Sequence, residues 1–129
     1  MGKRKRLMAE KLKEKRKNTV YAILRNSPIS PRKMRLVADL VRGKEVNHAL
    51  AILQYTPKDA AKRLEKLIRS ALANWEVKNG NPSEEEEIYI KEIYVNGAGM
   101  LKRIRPRAHG RAFRIRKRFN HVTVILDKK

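Results

Sequence analysis

The fold of this chain is decided by residues 88–126, IYIKEIYVNGAGMLKRIRPRAHGRAFRIRKRFNHVTVIL. Residues 88–95 are rich in β-branched and aromatic side chains and predict a strand, whose apolar alternation shifts at Lys91-Glu92 as at a β-bulge. A second long strand is predicted over about residues 110–126. Because the segment between the strands is basic and contains several glycines, we predict an extended β-hairpin whose far end leaves the core. Ten residues beyond the core, at about 3.3 Å each, would reach about 30 Å.

The apolar side of the second strand changes along its length. Phe113 and Ile115 alternate with arginines in its first part, whereas the apolar residues of its last part are Val122, Val124 and Leu126. Because successive strand side chains point to opposite faces, the change from odd to even positions moves the apolar side to the other face. The sequence places this change near Phe119-Asn120.

The positive charge of the chain is concentrated in this hairpin and at the N-terminus. The 129 residues contain 33 lysines and arginines against 13 acids, a net charge of +20. Residues 101–118 carry nine basic residues and no acid, and residues 1–18 carry nine basic residues and two acids. A small domain usually keeps a net charge of about 2–8, since like charges repel, so the excess predicts a polyanionic partner. Phosphate binding explains the 101–118 run better than a merely solvated strand face, because neutralised phosphates release counterions.

The chain before the hairpin predicts one short strand and three helices. Residues 19–25 have the composition of a strand. Ser30-Pro31 predicts a helix start, with serine as the N-cap and proline at the first helical position, and Gly43 predicts the end of that helix. Asn47 is a candidate cap for a second, short helix. Residues 1–18 form either a basic helix or a disordered arm that folds on a polyanion.

The strongest helix signal begins at Thr56. Threonine as the N-cap, Pro57 at the next helical position and Asp59 three residues after the cap resemble a capping box. Apolar residues then recur at three- and four-residue spacing, and 79–82 (NGNP) is expected to stop the helix. We expect this helix to be the spine of the core through its apolar residues, Ala60, Leu64, Leu67, Ile68, Ala71, Leu72 and Trp75.

Composition excludes several classes of protein. The absence of cysteine excludes disulfides, thiolate catalysis and cysteine zinc sites. The longest apolar run, residues 49–53, is far too short to span a membrane as a helix. No apolar segment follows the basic residues 3–6, so we expect no secretory signal and an intracellular protein.

No motif predicts catalysis or a metal site. The three histidines, His48, His109 and His121, lack ligand spacing. Gly97-Ala98-Gly99 lacks the third glycine and the helix of a dinucleotide-binding loop, so we predict a turn. The acidic run 84–87 is interpreted as a solvated loop. We therefore expect no enzyme activity, no metal and no cofactor.

A second cationic feature lies at the start of the first predicted helix. A helix N-terminus attracts anions through its free N–H groups and its dipole. Arg32, Lys33 and Arg35 add positive side chains near that end, so they are candidate phosphate contacts. The alternative is a capped helix with ordinary exposed charges.

Three separated motifs resemble the bacterial-type large-subunit ribosomal protein L22 (uL22) family. Residues 30–43 (SPRKMRLVADLVRG) resemble its first-helix signature, and residues 70–74 (SALAN) resemble its long-helix motif. Residues 102–112 (KRIRPRAHGRA) and 121–124 (HVTV) are similar to its hairpin and closing strand. The chain departs from the family at 96–99, where an acid followed by Gly-Pro is usual, and at Trp75, where a small residue is usual.

The resemblance implies an α+β fold, a small three-stranded antiparallel sheet packed on about three helices with a long β-hairpin extension. It implies one domain at 19–129, whose hairpin covers about 88–126 with its tip at about 97–109. Residues 1–18 are a basic N-terminal extension that lies outside the resemblance. The resemblance also implies a cytoplasmic large-subunit protein that binds 23S-type rRNA and neighbouring ribosomal proteins, aids assembly and meets the nascent peptide in the exit tunnel. No membrane span and no small-molecule substrate are implied.

The resemblance assigns two groups of residues. The rRNA contacts are Arg32, Lys33, Arg35, Lys102, Arg103, Arg105, Arg107, His109, Arg111, Arg114, Arg116, Lys117 and Arg118. The tunnel-lining tip consists of Gly99, Met100, Leu101, Lys102, Arg103, Ile104 and Arg105. A DNA-binding architectural protein is a weaker alternative, because few apolar wedge residues lie near the tip. A nucleic-acid-processing enzyme would require an acidic metal site.

Overall fold

The computed structural model describes residues 2–80 and 87–129, which form four helices and a three-stranded antiparallel sheet. The α-helices and strands, in chain order, are α1 (Lys3–Asn18), β1 (Val20–Ser27), α2 (Pro31–Val41), α3 (Val46–Tyr55), α4 (Asp59–Asn79), β2 (Ile88–Pro106) and β3 (Ala112–Lys128), with a single turn of 3-10 helix (Ala108–Gly110) between the last two. The predicted α+β class and long hairpin are confirmed. The acidic loop predicted at 84–87 lies, apart from Glu87, outside the described residues, as does the end of the predicted helix stop at 79–82.

The last strand, β3, lies at the centre of the sheet and pairs with both β1 and β2. The bulge expected at Lys91-Glu92 is confirmed: Ile90 pairs with Leu126 and Glu92 with Ile125, so Lys91 is the extra residue. The Lys91 ammonium then lies 3.6 Å from a carboxylate oxygen of Asp127.

A second irregularity separates the core part of the hairpin from its outer part. Gly97 pairs with Asn120 and Met100 with Arg118, so two residues of β2 oppose Phe119 alone. The change of apolar side predicted near Phe119-Asn120 falls at this point. Every residue from 99 to 118 is exposed, and we call residues 99–118 the basic arm. At about 3.3 Å per residue, its paired strands extend about 20 Å beyond the core.

Helices α2, α3 and α4 pack on one face of the sheet, and the apolar stripes that their periodicity predicts are buried there. Met34, Val37, Ala38 and Val41 of α2 are fully buried, as expected. Trp75 is only 5% exposed, so its indole fills part of the core instead of lying on the surface. The α4 residues of this core are Ala60, Ala61, Leu64, Leu67, Ile68, Ala71 and Trp75, while Leu72 is partly buried. None of the helices described here is both long and apolar enough to cross a membrane.

Two predicted helix caps are wrong. Helix α4 begins at Asp59 with Lys58 as its N-cap, whereas Thr56 follows α3 and its hydroxyl donates to the Ile52 carbonyl at 2.7 Å. Helix α3 begins at Val46, so the predicted cap residue, Asn47, lies inside the helix. At Thr56 the hydroxyl is used by the last turn of the preceding helix and is therefore not the cap of α4. The Ser30 cap is confirmed, because its hydroxyl accepts from the Lys33 N–H at 3.4 Å.

The outer edge of β1 is closed by side chains of α4. Asn74 donates its amide to the Tyr21 carbonyl at 3.0 Å, and the Lys78 ammonium donates to the Thr19 carbonyl at 2.8 Å. These residues are four positions apart and therefore lie on one side of the helix. The asparagine of the 70–74 motif thus has a structural role, because it satisfies a carbonyl at a sheet edge.

Candidate nucleic-acid interface

The basic arm ends in a tight turn at residues 107–111. The Arg107 N–H donates to the Arg111 carbonyl at 2.7 Å, and the Arg111 N–H donates to the Ala108 carbonyl at 3.4 Å. His109 and Gly110 have φ values of 62° and 68°, the left-handed region that a closed turn of this kind requires. The turn therefore overlaps only the last residues of the tip that we expected at about 97–109. Residues 99–105 run along the shaft of the arm, not around its end.

The two strands of the arm combine cationic and apolar side chains in a regular way. Residues directly opposite each other on antiparallel strands share a face, and like charges in such pairs destabilise the sheet. Lys102 opposite Arg116 is the one like-charge pair in the shaft from Met100 to Arg105. In the other five pairs a cation faces an apolar side chain: Met100–Arg118, Leu101–Lys117, Arg103–Ile115, Ile104–Arg114 and Arg105–Phe113.

Both faces of the arm carry positive charge. Because strand residues alternate between faces, one face presents Lys102, Arg114, Arg116 and Arg118, and the other presents Arg103, Arg105 and Lys117. No aspartate or glutamate occurs between Glu92 and Asp127 in the sequence, so the arm has no carboxylate of its own to neutralise these cations. The arm is therefore suited to anionic groups on both sides at once.

Arg35 of α2 and Arg42, which follows the last residue of that helix, close the free edge of β2 at the base of the arm. The Arg35 guanidinium donates to the Val95 carbonyl through Nε at 3.3 Å and Nη2 at 3.0 Å. The Ile93 carbonyl, two residues before Val95 on β2, accepts a hydrogen bond from the Arg42 guanidinium at 3.1 Å. The same guanidinium also donates to the Asp39 carboxylate. Arg35, expected from the sequence to contact phosphate, is thus engaged within the domain. Arg32 and Lys33 lie in the first turn of α2, and both are exposed. The sequence signal for this shared structural role was the seven-residue spacing of Arg35 and Arg42. Seven residues are about two helical turns, so both side chains lie on one side of the helix.

Replacing Arg35 with alanine is expected to lower the free energy of unfolding by about 1–2 kcal/mol, because the Val95 carbonyl loses a charged donor. The Lys33→Ala variant is the matched control and should change stability by less than about 0.5 kcal/mol, as exposed substitutions usually do. Urea denaturation of both variants measures the difference. Equal stability of the two variants would mean that the hydrogen bonds to Val95 contribute nothing.

Of the exposed apolar residues of the arm, Phe113 was not a candidate contact in the sequence analysis, whereas Ile104 was assigned only to the tunnel-lining tip. Ile104 is 73% exposed and Phe113 55% exposed, although both belong to paired strands. Exposed apolar and aromatic groups beside arginines are suited to stacking on unpaired bases. The alternation of these apolar residues with cations could have indicated a base-contacting surface. The same pattern is also typical of an ordinary amphipathic strand, so it did not distinguish the two.

One titratable group near the base of the arm is perturbed. The Tyr94 hydroxyl donates a hydrogen bond to the Glu92 carboxylate. This bond, with smaller effects from desolvation and from the negative charge of Glu92, raises the pKa of Tyr94 above its usual value. The tyrosine therefore remains a neutral hydrogen-bond donor at physiological pH. Among residues 2–80 and 87–129, no group of three or more His, Cys, Asp or Glu side chains could hold a metal ion.

Comparison with known proteins identifies similar chains. The family model for ribosomal protein L22p/L17e matches residues 22–127. A protein of Bacteroides fragilis (strain YCH46) is 55% identical over 129 residues, covering 100% of this chain and 95% of the relative. Proteins of Porphyromonas gingivalis (strain ATCC 33277) and Christiangramia forsetii (strain KT0803) are 56% and 58% identical over 127 residues, covering 98% of this chain and 95% and 94% of the relatives. All three relatives are named large ribosomal subunit protein uL22.

Proposed function

The chain belongs to the ribosomal protein L22p/L17e family, and on that premise we propose that it is a structural protein of the cytoplasmic large ribosomal subunit whose basic arm enters folded 23S-type rRNA. In this role the protein binds and helps to assemble rRNA and catalyses no reaction of its own. The domain of residues 19–129 would lie against rRNA and neighbouring ribosomal proteins, with the arm projecting inward from it.

One observation carries the proposal: the arm is exposed throughout residues 99–118 and cationic on both faces. A protein that lies on the surface of a nucleic acid needs positive charge on one side only. An element with cations on two faces and at its turn is suited to a cleft walled by phosphates. Each phosphate that it neutralises releases condensed counterions, which supplies the favourable free energy.

The contact set that we propose comprises the cations of the arm and the first turn of α2. Arginine suits this task because its planar guanidinium can donate two hydrogen bonds to one phosphate and can also stack on a base. His109 and Arg111 lie in the turn and would reach deepest into the RNA. The apolar side chains opposite the arginines, such as Phe113, would contact bases or sugars instead of phosphates.

The family resemblance supports a further part of the proposal, that the arm forms part of the wall of the exit tunnel. Residues 99–105 would form the side of the arm that approaches the nascent peptide, and the turn at 107–111 would anchor it in rRNA. A mixed surface of this kind, in which Ile104 lies next to arginines, contacts a passing peptide without binding one sequence tightly.

A photoreactive amino acid incorporated at position 104 tests both parts of the proposal in cells. We expect the full chain to sediment with the large subunit in a magnesium-containing sucrose gradient, to survive a moderate-salt wash and to cross-link to rRNA on irradiation. In ribosomes arrested during translation, the same position should cross-link to the nascent peptide. The control is the same photoreactive group at position 77, because Val77 lies on α4 and is 87% exposed.

The alternatives give different results. A chain that sediments free, or with the nucleoid in a DNase-sensitive fraction, would contradict the ribosomal proposal and favour the DNA-binding one. If the chain is found in the large subunit but position 104 cross-links only to rRNA and never to an arrested peptide, the tunnel role is overturned. The RNA-binding role is then retained. Equal peptide cross-linking from positions 104 and 77 would also overturn the tunnel role.

A further inference from the structure

We infer that α1 is a second RNA-binding element, which contacts the phosphate backbone through the side of the helix that faces away from the domain. This role is separate from the proposed role of the arm and concerns a different part of the chain. Helix α1 precedes the residues that the family model matches, which begin at residue 22. The family description therefore says nothing about it.

Helix α1 is not part of the hydrophobic core. None of its 16 residues is buried, and its three large apolar side chains, Leu7, Met8 and Leu12, are 49%, 67% and 55% exposed. A cleft of about 790 Å³ lies between its C-terminal half and the domain. Most of the stability of a helix in a protein comes from the packing of an apolar face, and α1 packs no residue into the core.

Hydrogen bonds at Thr19 nevertheless hold the C-terminal end of α1 in one orientation relative to the domain. The Thr19 N–H and hydroxyl both donate to the Lys15 carbonyl, at 3.1 and 2.7 Å. The Thr19 carbonyl accepts a hydrogen bond from Lys78 of α4 at 2.8 Å. The junction therefore orients α1 relative to the domain and determines which side of the helix points outward.

The side of α1 that faces the domain carries mixed charge. Of its residues, Lys11, Glu14, Lys15 and Asn18 line the cleft, whose other walls come from β2, β3 and α4. The other acid of the helix, Glu10, precedes Glu14 by four positions and lies on the same stripe, where it accepts a hydrogen bond from Arg6 at 3.2 Å.

The opposite side of α1 is cationic and free of acids. At about 100° per residue, the residues that point away from the cleft surround Ala9: Lys5, Lys13 and Arg16. Lys5 and Arg16 are about 16 Å apart along the axis, at about 1.5 Å per residue. A small residue at the centre of these three cations permits close approach of a flat, strongly charged surface.

The charges of α1 oppose helix formation in the absence of a polyanion. The first turn contains no acid and begins with four consecutive basic residues, Lys3 to Arg6, at the positive end of the helix dipole. Like charges four apart, such as Lys13 and Lys17, repel one another. Phosphates placed along the outward side would remove both penalties. The ligand that fits is RNA backbone and not bases, because this side presents no aromatic residue.

The test uses the full chain with Lys5, Lys13 and Arg16 all replaced by glutamine, and a transcript of large-subunit rRNA as the probe. We expect the affinity to fall about tenfold at 0.1 M salt. The slope of log K against log salt should decrease by about one to two, since each phosphate that is no longer neutralised lowers it by about 0.7–0.9. The matched control replaces Lys58, Lys62 and Lys66 with glutamine. It removes the same charge from positions near Asp59 and Glu65, so it should leave the slope almost unchanged.

Each other outcome has a definite meaning. If both triple variants lose the same affinity, net charge alone explains the effect and the inference is wrong. If the α1 variant binds rRNA normally but fails to enter large subunits, α1 contacts an acidic protein, which also overturns it. Thermal unfolding should be unchanged in both variants. Failure of the proposed arm function would be distinguishable, because arm variants would then retain rRNA affinity while the α1 variant still bound more weakly.

Discussion

Simultaneous replacement of Arg105, Arg107 and Arg111 with alanine is expected to weaken binding to a large-subunit rRNA transcript about 100-fold at 0.1 M salt and to lower the salt slope by about two to three. The three arginines lie at the outer end of the arm, one on the shaft and two at the ends of the turn at 107–111, and all are exposed. Filter binding or fluorescence anisotropy over a range of salt concentrations measures both quantities.

The substitutions should leave the conformation of the turn intact. The turn is closed by hydrogen bonds between the main-chain atoms of Arg107, Ala108 and Arg111, and alanine retains those atoms. The positive φ values belong to His109 and Gly110, which are not changed. A loss of affinity therefore reports on the guanidinium groups.

A charge-matched variant distinguishes local contacts from a general electrostatic effect. Replacing Lys58, Lys62 and Lys66 with alanine removes three positive charges from the domain without touching the arm. We expect its salt slope to remain close to that of the unchanged protein. An unaltered slope in the arm variant would show that these arginines do not contact phosphates, whatever happens to the affinity.

The hairpin and the apolar faces of the helices could be predicted from the sequence because hydrophobic burial imposes its own period. The stripe of α2 and the spine of α4 follow from three- and four-residue spacing, and the bulge at Lys91 follows from a break in two-residue alternation. The outer part of the hairpin was harder to define. It buries nothing, so periodicity sets no register there, and the turn falls several residues beyond the centre of the predicted tip.

Helix-capping residues and charged residues were less informative than the apolar periodicity, because each of them can form hydrogen bonds with more than one kind of partner. Thr56 lies between two helices separated by three residues, and its hydroxyl can cap the second or bond the last turn of the first. Arg35 can bind a phosphate or a carbonyl with the same donors, and only the position of the β2 edge decides between them. Such choices depend on contacts between distant segments, which a single sequence does not specify.

Strand β2 provides the sharpest test of the division between core and arm, because the same residue type occurs in both. Ile93 is 2% exposed and Ile104 is 73% exposed. We expect Ile93→Ala to lower the free energy of unfolding by about 2–5 kcal/mol, since it removes buried methylene groups and leaves a cavity. Ile104→Ala should change it by less than about 0.5 kcal/mol. Urea denaturation followed by far-UV circular dichroism measures both variants.

The same pair separates stability from binding. The Ile104→Ala variant should remain as stable as the unchanged protein, so any loss of rRNA affinity must come from contacts made by the arm. The Ile93→Ala variant should bind rRNA normally under conditions in which it is fully folded, because the cations of residues 99–118 are unchanged. If Ile104→Ala destabilised the protein as much as Ile93→Ala, the arm would have to be packed against the domain. The two faces of positive charge would then not both be available to RNA.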